Sequence, residues 1–156
     1  SAPESGYNYN ITACGTGEDH TYYEWTHAQT ADQDYDIVLR WRVPDNFDSS
    51  ALFSDHVSIL GFASKSAAST DNSVKINMFN ESGKRCGNTD VELVNGTVNE
   101  WGNGVSIGGF SGDADCDNID AGEYVTFVIK MTANSTGTAG EIVRMGELEI
   151  GYKSIY

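Results

Sequence analysis

Val125, Phe127, Ile129 and Met131 occupy every second position, with Thr126, Val128, Lys130 and Thr132 between them. A helix would scatter those apolar side chains around its circumference, whereas a β-strand lines them along one face. The pattern recurs along the chain. Tyr35, Ile37, Leu39, Trp41 and Val43 alternate with Asp36, Arg40 and Arg42, up to Pro44, which cannot donate to a sheet ladder. Val74, Ile76 and Met78 alternate with Lys75 and Asn77, and Tyr7, Tyr9 and Ile11 with Asn8 and Asn10. Tyr23 and Trp25 oppose Tyr22 and Glu24. Shorter strands are expected over residues 57–63, 91–94 and 105–110, and the run Glu81-Ser82-Gly83-Lys84 is turn chemistry. The run at residues 45–55, rich in Asp and Ser, reads as a loop.

In the final strand, Val143 and Met145 are in one phase while Leu148, Ile150 and Tyr152 are in the other. Keeping one face buried across that shift takes an extra residue, so a β-bulge or bend is predicted at Gly146. Helical periodicity is nearly absent, and no crossover helices are available for a parallel α/β fold. The expected architecture is all-β: an antiparallel two-sheet β-sandwich, jelly-roll-like, of about nine strands, with residues 1–156 as one domain. An open barrel is the alternative.

Thirteen Asp and ten Glu face five Lys and four Arg, for a net charge of −14. A nucleic-acid binder needs a basic face to displace counterions, so no nucleic-acid partner is expected. An anionic membrane would repel the chain, and no stretch approaches the ~18 consecutive apolar residues of a spanning helix. Acidity suits solubility and hard divalent cations. The chain opens on Ser1 without an initiator Met, which fits either a removed signal peptide or a trimmed Met.

The densest acidic feature is Asp113, Asp115, Asp117 and Asp120. Carboxylates at alternate positions can converge on calcium when a loop curls, although Asn118 and Tyr124 depart from the EF-hand pattern. Calcium is therefore the one cofactor expected, if any, with a solvated acidic loop as the alternative. Of the three cysteines, Cys14, Cys86 and Cys116, the last lies within this loop and is expected to tie it to Cys86. Sequons at Asn10, Asn80, Asn95 and Asn134 point to possible glycosylation of an exposed protein.

Glycan-binding sandwiches stack sugar faces on exposed rings and bind hydroxyls with acidic and amide groups. Tyr22, Tyr23, Trp101 and Asn103 are the candidates, with Trp101, set between Asn and Gly residues, the ring best placed for exposure. The alternative for rings at period two is sheet packing. His20, His27 and His56 form no metal-binding pair, and neither a nucleophile elbow nor a phosphate loop is present. No enzymatic activity is expected, and a small glycan hydrolase or lyase with two facing carboxylates is the remaining enzymatic alternative.

The stretch from Tyr35 through Trp41 to Phe47 looks like strand patterns of β-sandwich domains from phage fibre, virion-decoration and bacterial cell-surface proteins. So do the runs from Ala121 to Ala133 and from Met145 to Tyr152. These resemblances cover about a quarter of the chain and carry no functional residues. They imply an extracellular or virion-surface location and a structural or adhesive role as a homo-oligomer or a capsid or surface assembly. Ile155 and Tyr156, with the tyrosine-alternating first strand, are expected to pair with a neighbouring subunit by strand addition. A glycan is the alternative partner.

Overall fold

The computed structural model describes residues 4–7, 21–27, 31–68, 70–94, 97–101, 105–106, 115–134 and 141–156. In chain order these form β1 (Glu4–Tyr7), β2 (Thr21–His27), β3 (Gln33–Arg42), α1 (Phe53–His56), β4 (Val57–Lys65), β5 (Ser73–Phe79), β6 (Arg85–Glu92), β7 (Val105–Ser106), β8 (Tyr124–Ala133) and β9 (Glu141–Tyr152). A five-stranded sheet has the order β1-β2-β9-β4-β7 and a four-stranded sheet the order β3-β8-β5-β6. Every pairing is antiparallel. From β2 onward, the pairs β2/β3, β4/β5, β6/β7 and β8/β9 each step from one sheet to the other. That interleaving is the strand order of a jelly roll.

The alternation read in the sequence explains the core. Val125, Phe127, Ile129 and Met131 of β8 are buried, as are Val74, Ile76 and Met78 of β5. Val143 and Met145 of β9 and Ile59 and Ala63 of β4 face them from the other sheet. Each large aliphatic or aromatic side chain so buried stabilises the fold by about 1.5–3 kcal/mol. The phase shift in β9 is resolved by a bulge. Gly61 pairs with Leu148 and Ala63 with Met145, leaving Gly146 and Glu147 together opposite Phe62. Leu148 and Ile150 thereby stay packed against the core.

Two elements depart from expectation. The loop expected over residues 45–55 contains α1, a single turn that drops Phe53 into the core against Phe47 and Trp41, with ring centroids at 5.7 and 6.4 Å. Strand β6 begins at Arg85, because Cys86 pairs with Met78 and is disulfide-bonded to Cys116. The segment Cys86-Gly87-Asn88-Thr89 has no apolar alternation to announce a strand. Gly83 takes a φ of 76° in the turn before it, which few other residues adopt without strain. Residues 8–11 of the expected first strand and 107–110 of the expected seventh lie outside the described residues.

Candidate functional site

The acidic loop is largely committed to holding the fold. Asp115 Oδ1 is ion-paired with Lys84 Nζ at 2.6 Å, and its carbonyl accepts from Asn80 Nδ2 at 2.6 Å. Cys116 carries the disulfide to Cys86, with Cα atoms 5.5 Å apart. The backbone N–H of Phe53 donates to the Asp117 carbonyl. Asp117 and Asp120 line a cavity of about 360 Å3 with Asp55, Ser49, Ser50 and Asn118. Asp117 Oδ1 is buried without a hydrogen-bond partner. Asp113 lies outside the described residues. Among the described residues, no three His, Cys, Asp or Glu side chains are grouped to hold a metal ion.

The aromatic candidates do not form one platform, and the expectation that Trp101 is exposed is corrected. Its side chain is buried, packed 5.9 Å from the Tyr22 ring and against Gly146. A loop indole with an adjacent glycine surface is better placed by covering the sheet than by facing water. Tyr22 also receives the Arg144 guanidinium at 5.7 Å, and Arg144 is ion-paired with Glu24 at 2.8 Å. Tyr23 is exposed, and strand alternation turns it to the opposite face from Tyr22. Asn103 lies outside the described residues.

The two described sequons are similarly occupied. Asn80 Oδ1 accepts from the Lys84 backbone N–H, while its Nδ2 donates to Asp115. Asn134 is buried and its Nδ2 donates to Asp32 Oδ1 at 2.8 Å. Its backbone N–H donates to Asn72, which in turn donates to Glu141. This chain of contacts clamps the starts of β5 and β9 to the end of β8. Asn134 as a glycan acceptor is therefore corrected: its amide is buried and engaged. Asn10, Asn95 and Cys14 lie outside the described residues.

A cluster not foreseen from sequence joins Asp48, His56 and Lys153. His56 Nδ1 contacts the Asp48 carbonyl at 2.5 Å, and Nε2 contacts Lys153 Nζ at 3.2 Å. Only the tautomer with hydrogen on Nδ1 serves both contacts, donating to the carbonyl and accepting from the ammonium. Lys153 also meets Asp48 Oδ2 at 3.1 Å. The Ser50 hydroxyl and backbone N–H, with Lys153, hold the Asp48 carboxyl at about 2, below its usual 3.8. His56 and Lys153 are 97 residues apart, and no local pattern links them.

The longest exposed feature is β3. Among the described residues it pairs only with β8, in unbroken register from Gln33↔Ala133 to Arg42↔Tyr124. Its inward-facing Tyr35 and Leu39 remain 37% and 39% exposed, and outward-facing Val38 is 62% exposed, with no strand alongside among the described residues. From the outer face of this sheet, register projects Arg40, Arg42, Lys75, Arg85 and Lys130. Asp34, Asp36, Asp90 and Glu92 share that face, so it is close to charge-balanced in a chain of net charge −14.

No family model matches the chain, and no curated protein matches it. Among solved structures it is similar to one described as "Structure of infectious bursal disease virus Gx strain", with 12% identity and a TM-score of 0.35. The match covers 86% of this chain and 32% of that one, so this chain spans about a third of its length. At that score the likeness says nothing of what this chain does. Among the described residues, no helix is long and apolar enough to cross a membrane.

Proposed function

We propose that this chain is a non-enzymatic structural subunit of a virion or cell surface, acting by assembling with copies of itself or by docking on a capsid or cell surface. The observation that carries this reading is the open edge of β3 on a jelly roll, ten residues long with large apolar side chains left half-exposed beside it. Jelly rolls serve in capsid and lectin domains. The glycan alternative loses its central ring with the burial of Trp101. Light-scattering molar mass across a concentration series tests the reading. Oligomers are expected, and a monomer that also fails to bind host particles or cells would sink it.

A calcium-dependent form of this role keeps one supporting observation, the unpartnered Asp117 Oδ1 beside the cavity shared with Asp55 and Asp120. A melting temperature raised by calcium in the native chain and unmoved in Asp117→Asn supports it. No rise in the native chain removes it.

A further inference from the structure

We infer that the β3 edge is a dimerisation surface whose occupant is the β3 strand of a second copy, running antiparallel about a two-fold axis at Val38. The inference rests on the self-assembly reading above and names its interface.

Natural sheets blunt their edges with prolines, bulges, short strands or charged side chains, and of these β3 carries only the charges. Strand β3 has ten residues, no proline and an unbroken register with its one neighbour. Its edge is therefore a template for another strand, and the residues along it say which one. The outward side chains run Asp34, Asp36, Val38, Arg40, Arg42: two anions, an apolar centre, two cations. All five are exposed. An antiparallel copy centred on Val38 sets Asp36 opposite Arg40 of the second copy and Val38 opposite its Val38, with Asp34, already bonded to Lys130 and Thr132, opposite its Arg42, already paired with Asp45. By symmetry each charge pair occurs twice. On the inner side the same register sets Tyr35 opposite Trp41 of the second copy and Ile37 opposite its Leu39, covering the half-exposed rings and aliphatics. Cross-strand pairs of opposite charge and of aromatic or branched residues are the units that stabilise a sheet.

The register is specified by what the neighbouring ones would do. Centring the axis on Ile37 or Leu39 keeps one kind of opposite-charge pair within β3 instead of two and sets Val38 opposite Asp36 or Arg40; centring it on Asp36 or Arg40 sets that residue against its own copy. A half-residue slip sets outward side chains against inward ones. Charge also favours this edge. The outer face of the β3 sheet is close to balanced, so two copies meet here with less repulsion than a net charge of −14 implies. Joining the edges makes one continuous eight-stranded sheet, in an isologous contact closed by two-fold symmetry.

Charge reversal tests the pairing. Asp36→Arg and Arg40→Asp alter exposed side chains, and circular dichroism melts verify that each variant folds. The native chain is expected to sediment as a dimer. Each single variant sets like charges opposite each other at two symmetric places, weakening dimerisation by about tenfold or more. The double variant restores the pairing, and the two single variants mixed together form a heterodimer. A second readout is oxidation of Val38→Cys in a Cys14→Ser background, which should give a covalently linked dimer. A native oligomer indifferent to all these changes overturns the β3 pairing and leaves self-assembly through another surface standing. A native chain that is monomeric at every concentration overturns both.

Discussion

The indole of Trp101 occupies the space a side chain at residue 146 would need. A Cβ on Gly146 would lie 3.1 Å from Trp101 Cζ3 and 3.3 Å from the carbonyl oxygen of Phe62. The second contact is with backbone of the paired strand and cannot yield easily. Gly146→Ala is therefore expected to cost about 1–3 kcal/mol by overpacking, read from urea denaturation. A variant as stable as the native chain would show that the indole moves aside freely.

The disulfide ties β6 to the loop before β8 across a sequence separation of 30, with both cysteines buried. Closing a loop of that size restricts the unfolded chain and stabilises by about 3 kcal/mol. The double change Cys86→Ala and Cys116→Ala should lose roughly that amount. A reductant should lower the melting temperature of the native chain and leave the double variant unmoved.

Asp48 is expected to contribute to the acid limb of stability. Its folded-state pKa of about 2 lies below the usual 3.8, so the folded state favours the ionised carboxylate. That contribution is complete above about pH 4 and is lost as pH falls toward 2. Asp48→Asn is expected to be less stable than the native chain near neutrality, with the gap narrowing through this window. Melting temperatures measured from pH 6 down to about pH 2 decide it, and a gap that stays constant excludes Asp48 as the titrating group.

Expression in a glycosylating host, followed by peptide mass spectrometry, tests the reading of the sequons. Asn134 should be unmodified in folded protein, because its amide is buried and bonded to Asp32. A glycan found there at high occupancy would mean that the clamp formed with Asn72 is open in solution.

Much of the architecture was legible because alternation reports directly which side of a strand faces the core. Phe127 and Met131, and the bulge at Gly146, could be read that way. The misses share a different cause. Trp101 looked exposed because its neighbours in sequence are polar, while what buries it is a glycine on a strand elsewhere in the chain. The contact of His56 with Lys153 likewise depends on where the segment after β9 returns. Asp117 was singled out as one of four carboxylates, yet its notable property is a lone buried oxygen, which the sequence does not encode locally. In β3, the same alternation that revealed the strand also carried its antisymmetric charges, but only the strand order shows that this strand is an edge.

Strand β9 is the last of the described strands, yet it lies in the middle of its sheet, between β2 and β4. During synthesis, β2 and β4 have no partner between them until residues 141–152 leave the ribosome. Most pairings that close the sandwich join distant parts of the chain, a topology that folds slowly. Until β9 arrives, β2 and β4 present the edges it will cover, so the nascent chain is exposed to wrong pairings that the folded protein no longer offers.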